Sequence, residues 1–486
     1  MKEVIVIGSG FSSLSVACYL QKAGKQVTVL EKNEQIGGRA SILEAEGFKF
    51  DMGPSWYWMP DIFERFFNDF GKKISDYYEL IKLSPAYNVF FEGGNCIEIA
   101  NDLKKICKTF DEIDPGSGGK LSKFINRAKE NYKIAMEDLV YRPGISITEL
   151  ITPKTMIRLN LFVSSITSEV KKVTKNRYLQ SILEFPVLFL GAKPENTPAF
   201  YNFMNYADFG GGTWYPKHGM NGVVIGMETL AASLGVVFKT NEEVKSIYVE
   251  NRKVTKVITQ KREYAAGIVV SGADYFHTEK LLAEEFRNYN AAYWEKKTFA
   301  PSAFLYYVGF KGGVESVGHH NLFFDTDFKK HAEAIYDKKT LPDNPLFYAN
   351  FPSITDETLA PDGMSTAFFL IPIAVDINDT KEMRDRYFNI IMERFEKCTG
   401  ERIANRIVYK KAFGVNDFKS RYNSYKGNAY GLANTLRQTS VLRPGIRNKK
   451  VKNLFYTGQL TIPGPGVPPA LISGKIVSDY IVKHKI

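Results

Sequence analysis

Few features restrict a chain more than an apolar strand broken off by spaced glycines, and residues 4–13 read Val-Ile-Val-Ile-Gly-Ser-Gly-Phe-Ser-Ser. Val4 to Ile7 is an unbroken β-branched run, the composition of a parallel strand buried on both faces. Gly8 and Gly10 follow at once, and Ser12 to Ala23 carries a helical pattern. Val27 to Leu30 is a second apolar run, closed by Glu31. This order is the βαβ fingerprint of dinucleotide binding. The glycines permit a tight turn and close backbone approach, the helix N-terminus faces a pyrophosphate, and the carboxylate accepts from a ribose hydroxyl. The third glycine, which lets helix and strand pack closely, is Ser13 here, at a small expected cost.

With 486 residues the chain exceeds one core and implies two or three domains. Cys18, Cys96, Cys107 and Cys398 are scattered without a CxxC pair, which argues against a disulfide scaffold, zinc or a dithiol relay and suits a reducing cytosol. The six histidines show no ligand spacing, so no metal is expected. Met-Lys-Glu runs straight into the first strand, which is no signal peptide, and no run of ~18 apolar residues offers a spanning helix. A cytoplasmic protein is expected, free to touch a membrane surface.

The net charge of +11 is unevenly spread. Residues 151–180 hold Lys154, Arg158, Lys171, Lys172, Lys175 and Arg177 against one acid, Glu169. Residues 436–452 hold Arg437, Arg443, Arg447, Lys449, Lys450 and Lys452 with no acid. Such patches suit anionic lipid, a phosphate-rich cofactor or plain solvent. No nucleic-acid motif accompanies them, so that partner is not expected.

Further along, Gly37-Gly38-Arg39 gives another close backbone approach, with a guanidinium free to reach a diphosphate. Trp56-Tyr57-Trp58, beside Gly53-Pro54, could line a cavity for a long apolar ligand. Lys154 to Leu183 is apolar on one face and basic on the other and runs into the apolar stretch 181–191, which suits an interfacial membrane contact or a helical lid. From Gly211 to Asp274 the second half of a nucleotide-binding domain returns, so that domain is discontinuous. Aromatic and β-branched runs between 302 and 375 predict a largely antiparallel sheet roofing a substrate cavity. Strand Leu454–Thr457, Gly458 and the turn Pro463-Gly-Pro-Gly466 lead into a final helix, giving another buried strand, glycine loop and helix start.

The motifs Gln-Ile-Gly-Gly-Arg39, Phe-Asp-Met-Gly-Pro-Ser55, Gly-Thr-Trp-Tyr-Pro-Lys-His-Gly-Met220 and Pro-Gly-Pro-Gly-Val-Pro-Pro-Ala470 occur in one order. Together they resemble the bacterial-type phytoene desaturase family of carotenoid desaturases over essentially the whole chain. Four positions depart from that pattern: Ser13, His218 where Gly is common, Gly272 where Asn is common, and Gln459. The resemblance implies FAD and stepwise desaturation of an acyclic polyene, phytoene or a later intermediate towards lycopene. It places Gly8, Gly10, Ser12, Ser13, Glu31 and Lys32 at the ADP half, and Gly37, Gly38, Arg39, Gly53, Pro54 and Ser55 towards the pyrophosphate and ring. Val244 falls near adenine, and Gly458, Gln459, Pro465, Gly466 and Val467 near the isoalloxazine.

Such chemistry needs a hydride acceptor, a proton acceptor and a dry tunnel. Glu184, a carboxylate in an apolar run, is the expected proton acceptor, with Asp208 and His218 as rivals. The resemblance also admits a desaturase of hydroxylated or monocyclic carotenoids, a carotene isomerase, or a non-enzymatic prenyl-lipid escort protein. The expected fold is α/β. A Rossmann-type FAD-binding domain takes 1–80, 210–300 and 400–486, a substrate domain with an antiparallel sheet takes 81–120 and 301–399, and a helical membrane-associating region takes 121–209. The protein is expected at the inner face of the cell membrane.

Overall fold

The computed structural model describes residues 3–137, 139–150, 153, 160–161, 164–435 and 437–486. Strand Glu3–Ile7 occupies the centre of a five-stranded parallel sheet, where its Val and Ile side chains are buried from both faces. On one side lie Ile268–Ser271 and then Leu454–Tyr456; on the other lie Gln26–Leu30 and then Val237–Lys239. Every pairing is parallel, and the strands come from three distant parts of the sequence. Helix Phe11–Lys22 packs against the helices Met220–Leu234 and Val467–Lys483 on one face of this sheet.

A second sheet has seven strands. Its order is Ile407–Phe413, Ser302–Lys311, Met364–Ile373, Phe347–Asn350, His320–Phe324, Tyr87–Phe91 and Cys96–Ile99. All neighbours are antiparallel except His320–Phe324 with Tyr87–Phe91, which are parallel. The expected largely antiparallel sheet is therefore present. Ile407–Phe413 corrects the expected boundary at residue 400, because this strand pairs with Ser302–Lys311 in the roof and not with the nucleotide sheet. Strand Trp214–Pro216 pairs with Leu80–Lys82, so the landmark Trp-Tyr-Pro lies in a separate two-stranded sheet and not in the nucleotide sheet.

The helical segment contains Leu103–Ile113, Ser117–Glu137, Ile166–Val173, Arg177–Glu184 and Phe203–Phe209. Lys171, Lys172, Lys175 and Arg177 are exposed on it, whereas Lys154 and Arg158 lie outside the described residues. Lys172 is not a free charge: it pairs with the buried carboxylate of Glu169. Among the described residues no helix is long and apolar enough to cross a membrane.

Two of the four departures from the family pattern prove to be one. Ser13 is fully buried in the first helix, and a Cβ added at Gly272 would stand 2.0 Å from its Oγ. Side-chain volume absent from the loop at 272 is present on the helix at 13, so the close approach survives with the small residue on the opposite partner.

Candidate active site

The first strand ends in a turn that only glycine takes comfortably. Gly8 has φ +86° and Gly37 has φ +104°, both in the left-handed region. Gly10 starts the first helix with no side-chain cap, and nothing lies within 4 Å of where its Cβ would be. The first turn of that helix, uncapped by any side chain, lines the cavity through Gly10, Phe11 and Ser12, the arrangement that receives an anion. A Cβ at Gly38 would sit 3.3 Å from Gly10 Cα, so these two loops meet backbone to backbone.

Glu31 stands at the end of the neighbouring strand. Its Oε2 accepts from Ser9 N at 2.9 Å and Ser9 Oγ at 2.6 Å, and its Oε1 accepts from Asn33 N and Nδ2, both at 2.9 Å. Arg39 is buried among loops from the other end of the chain. Its Nη2 donates to Ser424 Oγ and the Asn428 carbonyl at 3.3 Å, and its guanidinium lies 5.3 Å from the Tyr422 ring. With the Gln459 amide oxygen turned inward, Arg39 Nη1 and Nη2 donate to it at 3.3 and 3.0 Å. Arg39 Nε keeps no partner. Gly458 (φ +101°) and Gly466 (φ +111°) shape the far wall, where Gly466 starts the helix Val467–Lys483.

These groups fit a dinucleotide: an uncapped helix start, a glycine cradle, an unpaired donor on a buried cation and a carboxylate. They line one end of a cavity of about 790 Å³. Every residue expected at the cofactor reaches its wall except Ser13, whose side chain turns into the helix–loop packing against Gly272.

The same cavity continues between the seven-stranded sheet and the helical segment. There its wall is apolar, with Leu305, Leu322, Phe324 and Leu370 opposite Met136, Phe200 and Met204. Trp56 and Trp58 line it, and Trp56 stacks flat on His320 at 4.1 Å. Tyr57 does not; alternation turns it into the core, where it stacks on Phe63 and shares a hydrogen bond with Tyr78.

None of the three expected proton acceptors reaches this wall. Glu184 accepts from Thr167 Oγ1 at 2.7 Å, and burial raises its pKa. Asp208 accepts from Tyr87 OH at 2.8 Å, and burial pushes its carboxyl up to about 8. His218 has a side chain 61% exposed and donates its backbone N–H to Asp356. The polar groups on the apolar half are others, among them Ser55, Tyr348, His331, Tyr336 and Tyr430. Ser55 Oγ lies 3.0 Å from Tyr348 OH, which lies 2.7 Å from His320 Nδ1. His331 Nδ1 accepts from Leu346 N at 2.9 Å, so the ring proton sits on Nε2. Period-two reading of strands 320–324 and 347–350 is the signal that could have pointed to Tyr348. Among the described residues no cluster suits a metal.

Asp208 yields a test of its own. A carboxyl whose pKa rises on folding stabilises the protein at low pH and loses that contribution as pH climbs through its folded value, about 8. Asp208→Asn is therefore expected to flatten the fall in stability between about pH 4 and pH 8, read from urea midpoints across that range.

The model of the family described as flavin containing amine oxidoreductase matches residues 11–482, and the chain belongs to that family. It is an FAD-dependent oxidoreductase. Within the family it stands among the carotenoid desaturases. It is 42% identical to the carotenoid 3,4-desaturase of Haloarcula japonica, over 99% of this chain and 98% of that one. It is 27% identical to the zeta-carotene-forming phytoene desaturase of Myxococcus xanthus, over 99% and 94%. Among solved structures, an oxidoreductase from Methanosarcina mazei shares the fold, with TM-score 0.62, 18% identity and coverage of 97% and 98%. The comparisons lend no support to the escort-protein alternative.

Proposed function

We propose that the protein desaturates a long acyclic carotenoid. The observation that carries this reading is the single cavity joining the dinucleotide grip to an apolar, aromatic-walled tunnel. Identity is higher to the carotenoid 3,4-desaturase, at 42%, than to a phytoene desaturase at 31%, which supports a later intermediate over phytoene itself. FAD, held by the residues around Gly10, Glu31, Arg39 and Gly466, would supply a two-electron acceptor. The chain does the rest. Trp56, Phe185 and Tyr348 exclude water from the reacting bond, and the tunnel walls align the polyene without polar contacts.

The test is anaerobic incubation of the purified flavoprotein with liposomes carrying phytoene or a more unsaturated acyclic carotenoid. Flavin bleaching with a red shift of the polyene spectrum is expected. Flavin that stays oxidised with both substrates overturns the reading.

The tunnel also reaches the surface. Leu442 lines it and is 51% exposed, and Ile145, 53% exposed, follows Gly144, which packs beside Val441. Large exposed apolar side chains at the mouth of an apolar tunnel suit insertion into a membrane interface, on the cytoplasmic side, with Lys171 and Lys175 supplying charge for anionic lipid. Replacing both Ile145 and Leu442 with Asp is expected to weaken binding to anionic liposomes at least about a hundredfold in a flotation assay, since burying two such side chains contributes about 1.5–3 kcal/mol each. Unchanged flotation counts against this mouth as the docking point.

A further inference from the structure

A second, far smaller chamber lies behind the main cavity and shares one residue with it, Ser55. Its volume of about 20 Å³ is enough for one water. Its wall carries Lys49, Asp51, Asn350 and, at the exposed end, His218. Asp51 ends the strand Phe48–Asp51 and accepts from Met220 N at 2.8 Å and Asn221 N at 3.0 Å, at the start of the helix Met220–Leu234. Gly219 makes this possible, because a Cβ there would stand 2.3 Å from Asp51 Oδ2. Burial outweighs the two N–H bonds and pushes the Asp51 carboxyl up to about 7. Tyr215, Tyr307 and Tyr348 lie close enough to feel its charge, Lys49 and His218 share its chamber, and Asp356 stands 3.6 Å behind His218 Nδ1. The other branch from Ser55, through Tyr348 to His320, ends in the core, where His320 Nε2 has no partner.

We propose that this chamber is a proton exit, in which Ser55, one chamber water, Asp51 and His218 carry a proton from the main cavity to solvent. The inference rests on the desaturase reading and follows from its balance. Converting a C–C bond to C=C removes two hydrogens. One leaves as hydride with its electron pair, accepted by FAD. The other leaves the adjacent carbon as a proton, and its electron pair becomes the new π bond. That proton passes to the Ser55 hydroxyl as Ser55 hands its own to the chamber water, then to Asp51 and out past His218.

One arm of the test needs no turnover. Infrared difference spectra of the holoenzyme across pH 5 to 9 are expected to show a protonated-carboxyl band that titrates near pH 7 and is missing from Asp51→Asn. The Asp208 band, which titrates nearby, stays in both proteins. The second arm is anaerobic flavin reduction by carotenoid. Ser55→Ala is expected to slow it at least about a hundredfold per bound flavin and to abolish its solvent deuterium effect. If Asp51→Asn fails to fold, Ser55→Ala still decides. An Asp51 already ionised at pH 5, or a Ser55→Ala enzyme with wild-type rate and isotope effect, overturns the proposal while leaving the desaturase reading intact. Wild-type flavin that no carotenoid reduces overturns the desaturase reading itself, and the exit with it.

Discussion

Gly272→Ala is expected to destabilise the protein by about 2 kcal/mol, the ordinary cost of overpacking a closed site, and to leave it depleted of FAD. The added methyl would stand 2.0 Å from Ser13 Oγ and 3.3 Å from Ser13 Cβ, so rotating the hydroxyl relieves only part of the clash. The loop it displaces also shapes the cofactor end: Gly272 lines the cavity, and a Cβ on Gly8 would touch Ala273 N at 3.4 Å. Ser13→Gly alone costs about 1 kcal/mol, as glycine does inside a helix. The double variant, however, is expected to be more stable than Gly272→Ala by itself, with a coupling of about 1–2 kcal/mol. Urea unfolding and flavin content of the four proteins measure this. Simple additivity would mean that Ser13 and Gly272 are unrelated.

Glu31→Ala is expected to weaken FAD binding at least about a hundredfold, since hydrogen bonds to a charged group contribute about 1.5–3 kcal/mol each. The carboxylate does two jobs. It holds Ser9 and Asn33 through four contacts, fixing the turn between Gly8 and Gly10, and it places negative charge in the cavity wall. Glu31→Gln is expected to do little better, because its NH₂ would face N–H donors at one of the two oxygen positions. Flavin retained after ultrafiltration, compared with wild type, gives the answer. Full retention in Glu31→Ala would remove Glu31 from the cofactor grip.

The nucleotide half of this molecule was legible because its signals are local. Strand, glycines, helix and Glu31 lie within one continuous stretch, and each residue's job follows from the backbone it sits on. The roof was legible as a set of strands for the same reason, since runs such as Ser302–Lys311 and Met364–Ile373 alternate or stay apolar along their own length. The tunnel's polar groups were not. Tyr348 and His320 meet only because strands Phe347–Asn350 and His320–Phe324 pair in a register that no local pattern fixes. Glu184 misled for the opposite reason. An acid in an apolar run is indeed half-buried, but Thr167 takes up its carboxylate and the side chain does not reach the cavity wall. His218 was singled out beside a motif, yet its exposure suits a gate to solvent and not contact with a polyene.

The central sheet has a consequence for how the protein is made. Its middle strand, Glu3–Ile7, is synthesised more than four hundred residues before the edge strand Leu454–Tyr456 and the Gly458–Val467 loop. On the ribosome, the segment from Gly8 to Arg39 is therefore half a clasp with nothing to close against. Closure of the whole grip on the flavin therefore waits until translation has passed Val467.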